Sequence, residues 1–541
     1  MSAINKEYKF WLDSKAEEII KRENNLKRGI KVFRCESGLG ASGFPHIGSF
    51  GDVIRNYAVS LALKDHGVKS EYIAYSDDRD GLRKVPLSLP DWLEKYIGQP
   101  VTDVPDPFGC HENYGNHMSS LLRDAMDKVG IEYKFHSATE DYKKGIFDKQ
   151  IEIILRNSEK AAKIIKETLG QEKFEIALPY FPVCENCGKI YTTRAYEVDF
   201  NSHKILYICD QQFTGKNLNN GKTIIVEGCG HKGEAKFVNG DGKMSWKVEF
   251  AMRWAALQIV FEAYGKDIRD SVIVNDKICR EILNFEPPLH IMYEMFLDKS
   301  GKKISKSYGN VFTPQVWFNY GSKESLILLL LKRFESAREL DVTDIPKYMD
   351  EMNKLEKIYF GLEKITDKRE IINSKRLFEF VYFLKPPKKP SIHVNYSTWL
   401  EIAKVLPEKN QIEFAVKKLI EYGYLKKPNQ KIKKIVERNL NFAKKWIEDF
   451  IKTGLIEKVS LEEKMKIAIK ELIEAINKST QGEELQKEIF EIARKHNINP
   501  PIFFKTIYQI LIKSKEGPRL GPYIFEMGKE EAINRLKEAI K

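Results

Sequence analysis

A glycine-rich loop between a strand pattern and a helix pattern constrains the fold of this chain more than any other feature. The loop spans residues 37–49, after a short strand pattern at 32–35 and before a helix whose apolar residues run from Val53 to Leu63. A second strand pattern follows at residues 72–75. Strand, loop, helix and strand in this order form a βαβ unit, so the two strands are predicted to be parallel, with ligands bound at their carboxyl ends.

The remaining sequence predicts an interrupted α/β half followed by a helical half. Residues 86–108 are rich in proline and glycine and residues 180–240 carry short strand-like pieces, so we expect an insertion in the sheet. We predict that the sheet resumes with a helix at 250–263, a strand at 271–274 and a helix at 277–283. Beyond residue 312 the pattern is almost entirely helical, starting from the capping signal Thr313-Pro314.

The net charge favours a polyanionic partner. The 541 residues carry 89 Lys and Arg against 77 Asp and Glu, a net charge of +12, although a lysine-rich surface without a partner is the alternative. The longest apolar run, residues 326–331, is far shorter than the roughly 20 residues of a membrane helix. Since the N-terminus is charged and shows no signal-peptide pattern, we expect a cytoplasmic protein with no membrane contact.

Four of the seven cysteines have the spacing of a closed structural zinc site, a C-x-x-C turn followed by two single cysteines: Cys184, Cys187, Cys209 and Cys229. His231 is an alternative to Cys209 as the fourth ligand, because residues two apart on a strand share a face with each other. The other three cysteines lack such spacing and are predicted to be packing residues: Cys35, Cys110 and Cys279.

Two further segments carry residues suited to phosphate chemistry. Pro45-His46-Ile47-Gly48 stands at the start of the predicted helix, where backbone N–H groups attract phosphate and an imidazole can donate to it. Residues 301–310 combine lysines, serines and glycines in a cationic loop suited to a pyrophosphate leaving group. Taken singly, the first segment fits a capped helix better and the second fits an ordinary surface turn better.

Together and in this order, the two segments resemble the signature motifs of class I aminoacyl-tRNA synthetases. Four other segments are similar to class I lysyl-tRNA synthetases in particular: residues 76–86, 104–109, 252–254 and 517–521. The similar segments extend from residue 30 to residue 525, so the resemblance covers nearly the whole chain. Ile304 stands where the family loop usually has Met, an apolar exchange that should not disturb the chemistry.

The resemblance implies an α/β fold with a Rossmann-like nucleotide-binding catalytic domain, a zinc-bearing insertion and an all-helical C-terminal anticodon-binding domain. The predicted boundaries are 1–90 and 246–298 for the two halves of the catalytic domain, 91–245 for the insertion with its zinc-binding region at 180–235, 299–345 for a connector with the lysine-rich loop, and 346–541 for the helical domain. The implied reaction forms lysyl-adenylate and pyrophosphate from lysine and ATP, then transfers the lysyl group to the 3′ end of tRNA-Lys. We expect Mg²⁺ at the phosphates, one structural Zn²⁺ and a monomer.

The resemblance also implies roles for residues of both signature segments. His46 and Gly48 would contact the ATP phosphates, and Lys306 would stabilise the transition state of the attack on the α-phosphate, with Lys303 as a secondary phosphate contact. The full set of predicted ATP-binding residues is Gly43, Pro45, His46, Ser49, Ser305 and Lys306. No protein nucleophile is required, because the chemistry consists of positioning and charge neutralisation.

Recognition of lysine requires a carboxylate or a ring face for the ammonium group. Glu36 ends the first predicted strand, and Asp77 and Asp80 follow the second, although these acids could instead pair with Arg79, Arg83 and Lys84 nearby. The resemblance adds Trp254 and Tyr293 as pocket residues. Residue 268 is Ile where much of the family has His, which leaves His290 as an alternative.

A basic segment in the helical half is predicted to bind tRNA. Residues 425–445 contain eight basic side chains and one acid, Glu437, and a helical face of this kind neutralises phosphates. Tyr422 and Tyr424 are candidate stacking platforms for bases, whereas Trp446 fits burial between helices better. The resemblance implies that amino-acid activation needs bound tRNA. The alternatives are a class I synthetase for glutamate or arginine and a catalytically inactive RNA-binding relative.

Overall fold

The computed structural model describes residues 9–294, 296–297, 312–332, 338–451, 461–512, 517 and 519–540. The lysine-rich loop with Lys303, Ser305 and Lys306 therefore lies outside the described residues. The chain forms two compact units. The first comprises Met1–Trp317, Leu326–Val342 and Ile365–Pro386, and the second comprises Phe318–Ser325, Thr343–Lys364 and Pro387–Lys541.

The strands are Phe33–Leu39 (β1), Ser70–Ser76 (β2), Lys84–Val85 (β3), Lys134–Ser137 (β4), Tyr180–Pro182 (β5), Arg194–Asp199 (β6), Lys204–Ile208 (β7), Gln212–Asn217 (β8), Thr223–Glu227 (β9), Lys232–Lys236 (β10), Gly242–Met244 (β11), Ile259–Gly265 (β12), Leu289–Tyr293 (β13), Phe296–Leu297 (β14) and Arg338–Glu339 (β15). The α-helices of the first unit are Trp11–Leu26 (α1), Ile47–Asp65 (α2), Tyr114–Val129 (α3), Ala138–Lys143 (α4), Asp148–Arg156 (α5), Ser158–Leu169 (α6), Trp246–Leu257 (α7), Arg269–Glu281 (α8), Pro314–Tyr320 (α9, which ends in the second unit), Lys323–Lys332 (α10, which begins in the second unit) and Lys368–Val381 (α12, which follows a helix of the second unit).

The remaining α-helices, all in the second unit, are Ile345–Tyr359 (α11), Tyr396–Lys404 (α13), Gln411–Glu421 (α14), Gln430–Trp446 (α15), Glu463–Lys478 (α16), Gly482–Lys495 (α17), Pro500–Ile512 (α18), Leu520–Met527 (α19) and Lys529–Ala539 (α20). A π-helix, Ile447–Ile451, continues α15, and short 3-10 helices cover Asp91–Tyr96, Lys173–Glu175, Lys266–Ile268 and Val342–Asp344. No helix in the described ranges combines the length and the apolar character needed to cross a membrane.

A five-stranded parallel sheet in the order β13-β12-β1-β2-β4 is the centre of the first unit. β1 and β2 pair in register from Phe33 opposite Ser70 to Leu39 opposite Ser76, which confirms the predicted βαβ unit. Helix α2 connects them and is buried on nearly all sides, as its apolar composition requires. The sheet therefore presents the carboxyl ends of β1, β2, β12 and β13 to one edge of the unit.

The predicted secondary structure for the second half of the sheet was wrong at residues 250–263 and 271–274, where helix and strand were confused. Residues 250–263 are divided between helix α7 and strand β12, and the division falls at Gln258, whose φ of 54° is left-handed and ends the helix. Residues 271–274 are helical within α8 and turn buried Val272 and Val274 toward the core. An unbroken apolar run suits a buried strand as well as a buried helix, so periodicity alone did not separate the two.

Two predicted domain boundaries also differ from the structure. Strand β4, placed in the insertion by sequence, is the edge strand of the central sheet. Its four residues are exposed or half-buried and include one apolar side chain, Phe135, which is too weak a signal for a strand. Helix α12, placed in the helical domain, belongs to the first unit. Arg376 of α12 pairs there with Asp13 and Asp65, both at 2.7 Å.

The insertion begins with helices α3 to α6, and its part after residue 180 consists of small sheets with mainly antiparallel pairing. β6, β7 and β10 form one sheet, and the hairpin β8–β9 forms a second with β3, which runs parallel to β8. Buried Asn217, at the end of β8, donates to Asp91 and to Glu94, each at 2.7 Å. The hairpin is thus attached to the segment that follows the acidic loop after β2.

Candidate active site

A cavity of about 240 Å³ opens at the carboxyl edge of the central sheet. Its walls come from the ends of β1, β12 and β13, the first turn of α2, the loop after β2 and the first two turns of α7, all within the first unit. This is the position at which parallel sheets bind ligands.

His46 and Gly48 fit against each other at the start of α2. Nδ1 of His46 accepts the backbone N–H of Ser49 at 3.1 Å, so His46 is the N-cap of the helix. An acceptor at Nδ1 places the proton of the neutral ring on Nε2. A Cβ at position 48 would lie 2.9 Å from two atoms of the His46 ring. The His46 imidazole folds over the first turn of α2, and only a glycine at position 48 leaves room for the ring. This explains why a glycine stands two residues after the histidine.

Arg253, from α7, lies at the floor of the cavity among carboxylates. Its Nε is 2.5 Å from Oε1 of Glu36, its Nη1 3.2 Å from Oδ1 of Asp77, and its Nη2 3.7 Å from Oε1 of Glu262. The guanidinium also stacks on the ring of Tyr75, 4.3 Å from the centroid. Glu36 is completely buried behind the cavity, whereas Asp77 and Glu262 line it.

Glu262 is held from behind by aromatic side chains. The indole N–H of Trp254 donates to Oε2 of Glu262. His290 lies with Nδ1 3.0 Å from the carbonyl oxygen of Glu262 and Nε2 3.1 Å from Oδ1 of Asp276. His290 thus supports the strand that carries Glu262 and is not part of the cavity wall, in which Ile268 does take part.

A second buried cation, Lys243, organises the acids beside the cavity. Its Nζ contacts Asp80 and lies 2.8 Å from Oε2 of Glu249, whose Oε1 accepts a hydrogen bond from the Tyr142 hydroxyl at 3.0 Å. The indole N–H of Trp246 donates to Oδ1 of Asp80 at 3.3 Å. Lys243 therefore fixes Asp80, and Asp80 fixes the ring of Trp246 in the cavity wall.

Carboxylates outnumber cations in this network, five against two. Burial raises the pKa of Glu36 to about 8 and that of Asp77 to about 7, against the attraction of Arg253. Burial also raises the pKa of Glu249 and Glu262. A cation bound in the cavity would favour the ionised form of these carboxyl groups.

The structure brings together only part of the predicted site. The predicted residues in the cavity wall are His46, Gly48, Ser49, Asp77 and Tyr293. The predicted residues outside it are Glu36, Gly43, Pro45, Asp80 and Trp254. The acids do not take their partners from their own loop: Asp77 and Asp80 pair with Arg253 and Lys243, while Asp78 accepts the backbone N–H of Thr139 at 2.8 Å.

Sequence reasoning missed Glu262, Lys243 and Trp246. Glu262 is the one charged residue of β12, and a lone charge inside an apolar strand is a signal for a functional side chain. The prediction of a helix over 250–263 obscured that signal. Trp246 stands at the first position of α7, eight residues before the predicted Trp254.

Comparisons with known proteins agree with this geometry. A family model described as "tRNA synthetases class I (K)" matches residues 9–381. A lysine–tRNA ligase of Cenarchaeum symbiosum (strain A) is 44% identical over 528 residues, which covers 97% of this chain and 98% of that protein. A lysine–tRNA ligase of Rickettsia bellii (strain OSU 85-389) is 31% identical over 520 residues, covering 93% of this chain and 92% of that protein.

The chain belongs to the class I (K) tRNA synthetase family. Among solved structures, a glutamate tRNA ligase from Elizabethkingia meningosepticum aligns over 94% of this chain and 99% of that chain, with 13% identity and a TM-score of 0.43, which is too low to support an argument. Membership makes the cavity with His46 and Gly48 the candidate active site of a class I enzyme.

Four cysteines of this family member lie together in the insertion. All Sγ atoms of Cys184, Cys187, Cys209 and Cys229 lie within 4.8 Å of one another, with 3.7 Å from Cys184 to Cys229 and 3.8 Å from Cys187 to Cys209. Zn–S bonds of about 2.3 Å give a tetrahedron with edges of about 3.8 Å, so the donor set fits zinc. His231 instead places Nε2 2.7 Å from Oε1 of Glu185.

A second group of possible metal ligands lies at the start of α3, with three residues in the segment before the helix and His117 in its first turn. Donor atoms of Asp106, Cys110, His111 and His117 are within 4.8 Å of one another, and Cys110 Sγ is 3.2 Å and 3.3 Å from Nδ1 of the two histidines. Cys110 is exposed, so its prediction as a packing residue was wrong, whereas Cys35 and Cys279 are buried. The mixed thiolate, imidazole and carboxylate set also suits zinc.

Proposed function

We propose that this protein is a lysine–tRNA ligase. Lysine's carboxylate attacks the α-phosphate of ATP, which releases pyrophosphate and forms lysyl-adenylate. The ribose hydroxyl at the 3′ end of tRNA-Lys then attacks the adenylate and accepts the lysyl group, and AMP leaves. Family membership and the relatives named lysine–tRNA ligase support the class and the amino acid.

The observation that carries the choice of lysine is the excess of carboxylates around the cavity floor. Asp77 and Glu262 line the cavity with only Arg253 between them, and the wall also contains the ring faces of Trp246 and Tyr264. A lysine ammonium needs carboxylate and aromatic partners of this kind. A glutamate side chain would add a further negative charge, which disfavours glutamate as the substrate. Arginine carries the same charge as lysine, so the exchange experiment described below is needed to distinguish these two amino acids.

Phosphate chemistry is proposed for the start of α2 and for the lysine-rich loop. The Nε2–H of His46 would donate to a phosphate oxygen, while glycines 40 and 48 let the nucleotide approach the backbone. Lys306, with Lys303 in support, would neutralise the charge that develops on the leaving pyrophosphate. Bound Mg²⁺ supplies further charge neutralisation at the phosphates. No residue of the chain acts as a nucleophile in this scheme.

The second unit is proposed to bind tRNA through α15 and the turn before it. Lys426, Lys427, Lys431 and Lys434 are exposed, and none of them forms an ion pair within the described part of the chain. Tyr422 and Tyr424 are exposed at the end of the preceding helix, 49% and 37%, whereas Trp446 is buried against other aromatic rings. Exposed lysines beside exposed tyrosines fit phosphates and unstacked bases, and an anticodon loop offers both.

Zinc is proposed to have a structural role in both ligand groups. The four cysteines would close the base of the hairpin β8–β9, which is inserted between Cys209 and Cys229. The second group would hold the segment before α3, whose Tyr114 hydroxyl donates to the carbonyl oxygen of Ser42 in the glycine-rich loop at 3.2 Å.

ATP–pyrophosphate exchange with each of the twenty amino acids, with and without total tRNA, tests the proposal. We expect exchange with lysine alone, and its loss in Lys306→Ala. Exchange with arginine or glutamate but not lysine would refute the assignment. Comparing reactions with and without tRNA also shows whether activation needs bound tRNA.

A further inference from the structure

A second cavity, of about 260 Å³, adjoins the first one, because Trp246 lines both. Its remaining wall is formed by Ser42 and Gly43 of the glycine-rich loop, by residues between Asp80 and Pro86, and by Leu218 beside the hairpin β8–β9. We propose that this second cavity binds the 3′-terminal nucleotide of tRNA, with the base on Trp246 and the terminal phosphate at Arg83 and Lys84. The inference rests on the proposed function and names the residues that would receive its RNA substrate.

The charge of the second cavity suits a phosphate. Arg83 and Lys84 are both exposed and both line it. Its one acid, Asp80, also contacts the buried Nζ of Lys243, so the cavity wall has two surface cations and one acid that a buried cation shares. The guanidinium of Arg83 lies over the ring of Tyr191, 4.3 Å from the centroid, which holds the charge in place.

Trp246 provides a ring face in a fixed orientation. Its side chain is 37% exposed, and its N–H donates to Asp80 at 3.3 Å, so the ring is anchored at its edge. Bases of single-stranded RNA stack on such aromatic platforms. An anchored ring loses little freedom when a base binds, which favours stacking.

The position of Trp246 also satisfies the chemistry of transfer. The ribose oxygen of the terminal nucleotide must reach the carbonyl carbon of lysyl-adenylate, which is proposed to form in the first cavity. An ester bond then forms, the bond from the acyl carbon to the phosphate oxygen breaks, and AMP leaves with its electron pair while the hydroxyl proton passes to solvent. Because Trp246 lines both cavities, a nucleotide stacked on it would have its ribose next to the first cavity.

The test measures binding of two tRNA-Lys transcripts, one complete and one lacking the 3′-terminal adenosine, without lysine or ATP. We expect the wild-type protein to bind the complete transcript about tenfold more tightly. In Arg83→Ala and in Trp246→Leu this difference should shrink toward onefold, because the residue and the nucleotide contribute the same interaction. Lys222→Ala is the matched control: it removes an exposed cation of the same insertion that pairs with Glu94 and lies outside the cavity wall, so it should keep the tenfold difference.

Equal affinity of the wild-type protein for both transcripts would overturn the inference, as would a tenfold difference that survives both cavity variants. A titration with AMP separates the two sources of a nucleotide: Arg83-dependent binding of AMP together with equal affinities for the two transcripts would assign the cavity to a free nucleotide instead. Charging of tRNA with lysine by the same wild-type preparation tests the proposed function independently. A failure of the inference about the second cavity can therefore be distinguished from a failure of the proposed function.

Discussion

Arg253 and Glu36 form an ion pair with 2.5 Å between Nε and Oε1, and both side chains are almost completely buried. Asp77 and Glu262 share the same guanidinium but face the cavity. Arg253 thus has a fully buried partner, Glu36, behind it and two partners in the cavity wall in front. These two acids share one guanidinium with Glu36, which suits them to bind a further cation.

Removing the charge of either acid in the cavity wall, Asp77 or Glu262, should weaken lysine binding. We expect Asp77→Asn and Glu262→Gln each to raise KM for lysine about 10- to 100-fold, because each loses a charge-assisted contact to the ammonium worth about 1.5–3 kcal/mol. Steady-state aminoacylation at varied lysine measures the effect. Asp270→Asn, an exposed acid on α8, is the control and should leave KM unchanged. An unaltered KM in both cavity variants would show that lysine binds elsewhere.

Removing Arg253 should destabilise the protein by a large amount. Arg253→Met leaves Glu36 without its partner in a buried site, and breaking such a pair costs about 3–5 kcal/mol. Urea denaturation followed by tryptophan fluorescence measures the loss. The double variant with Glu36→Gln should recover part of it, since a buried carboxyl group without its partner is then absent. An unchanged urea midpoint in Arg253→Met would contradict the stabilising role given to the pair of Arg253 and Glu36.

Lysine affinity should rise with pH through neutrality. Burial raises the pKa of Asp77 to about 7, so its carboxyl is protonated below that pH and cannot pair with an ammonium. Calorimetric Kd values should therefore fall between pH 6 and pH 8, and the trend should be much weaker in Asp77→Asn.

The same raised pKa fixes the sign of the stability change. The folded protein without lysine holds protons on Asp77 and Glu36 that the unfolded chain releases near pH 4, so its stability should decrease as pH rises from about 4 to about 8. Added lysine should stabilise the protein more at pH 8 than at pH 6. If lysine raised the melting temperature equally at pH 6 and at pH 8, that result would contradict the role given to Asp77 in lysine binding.

Replacing Gly48 should separate activity from stability. The Cβ of Gly48→Ala meets the His46 ring at 2.9 Å and should turn the imidazole away, which raises KM for ATP. Alanine is the better helix former by about 0.5–1 kcal/mol, so thermal stability should be kept. His46→Asn, which retains a capping acceptor without the imidazole, should also keep stability and lose ATP affinity. Loss of folding in both variants would instead indicate that the motif is only structural.

Metal analysis should find about two zinc ions per chain. Cys187→Ser and Cys110→Ser should each lose about one of them, because they belong to different ligand groups. Mass spectrometry of the purified protein and of both variants measures the content, and thermal melting shows whether each site is structural. A wild-type protein with one zinc, retained in Cys110→Ser, would leave the four cysteines as the sole metal site.

The glycine-rich loop and the buried helix α2 after it were predictable because their sequence signals are local. Glycines, a capping residue and an unbroken apolar helix follow one another in sequence, and the βαβ geometry follows from them. The floor of the cavity was harder to predict, because its order depends on pairing across long separations, such as Arg253 with Glu36 and Lys243 with Asp80. Helix α12 was assigned to the wrong unit for the same reason: its packing depends on Asp13 and Asp65, far away in sequence.

Arg253, Trp254 and Glu262 lie within one helix–turn–strand segment that reverses at Gln258. A single short stretch of the gene therefore encodes a cavity acid, the indole that orients it and the cation that balances it. With the proposed lysine-binding role, a change in the charge of the substrate would need coordinated substitutions within those ten codons and at Asp77, which is encoded far upstream of them.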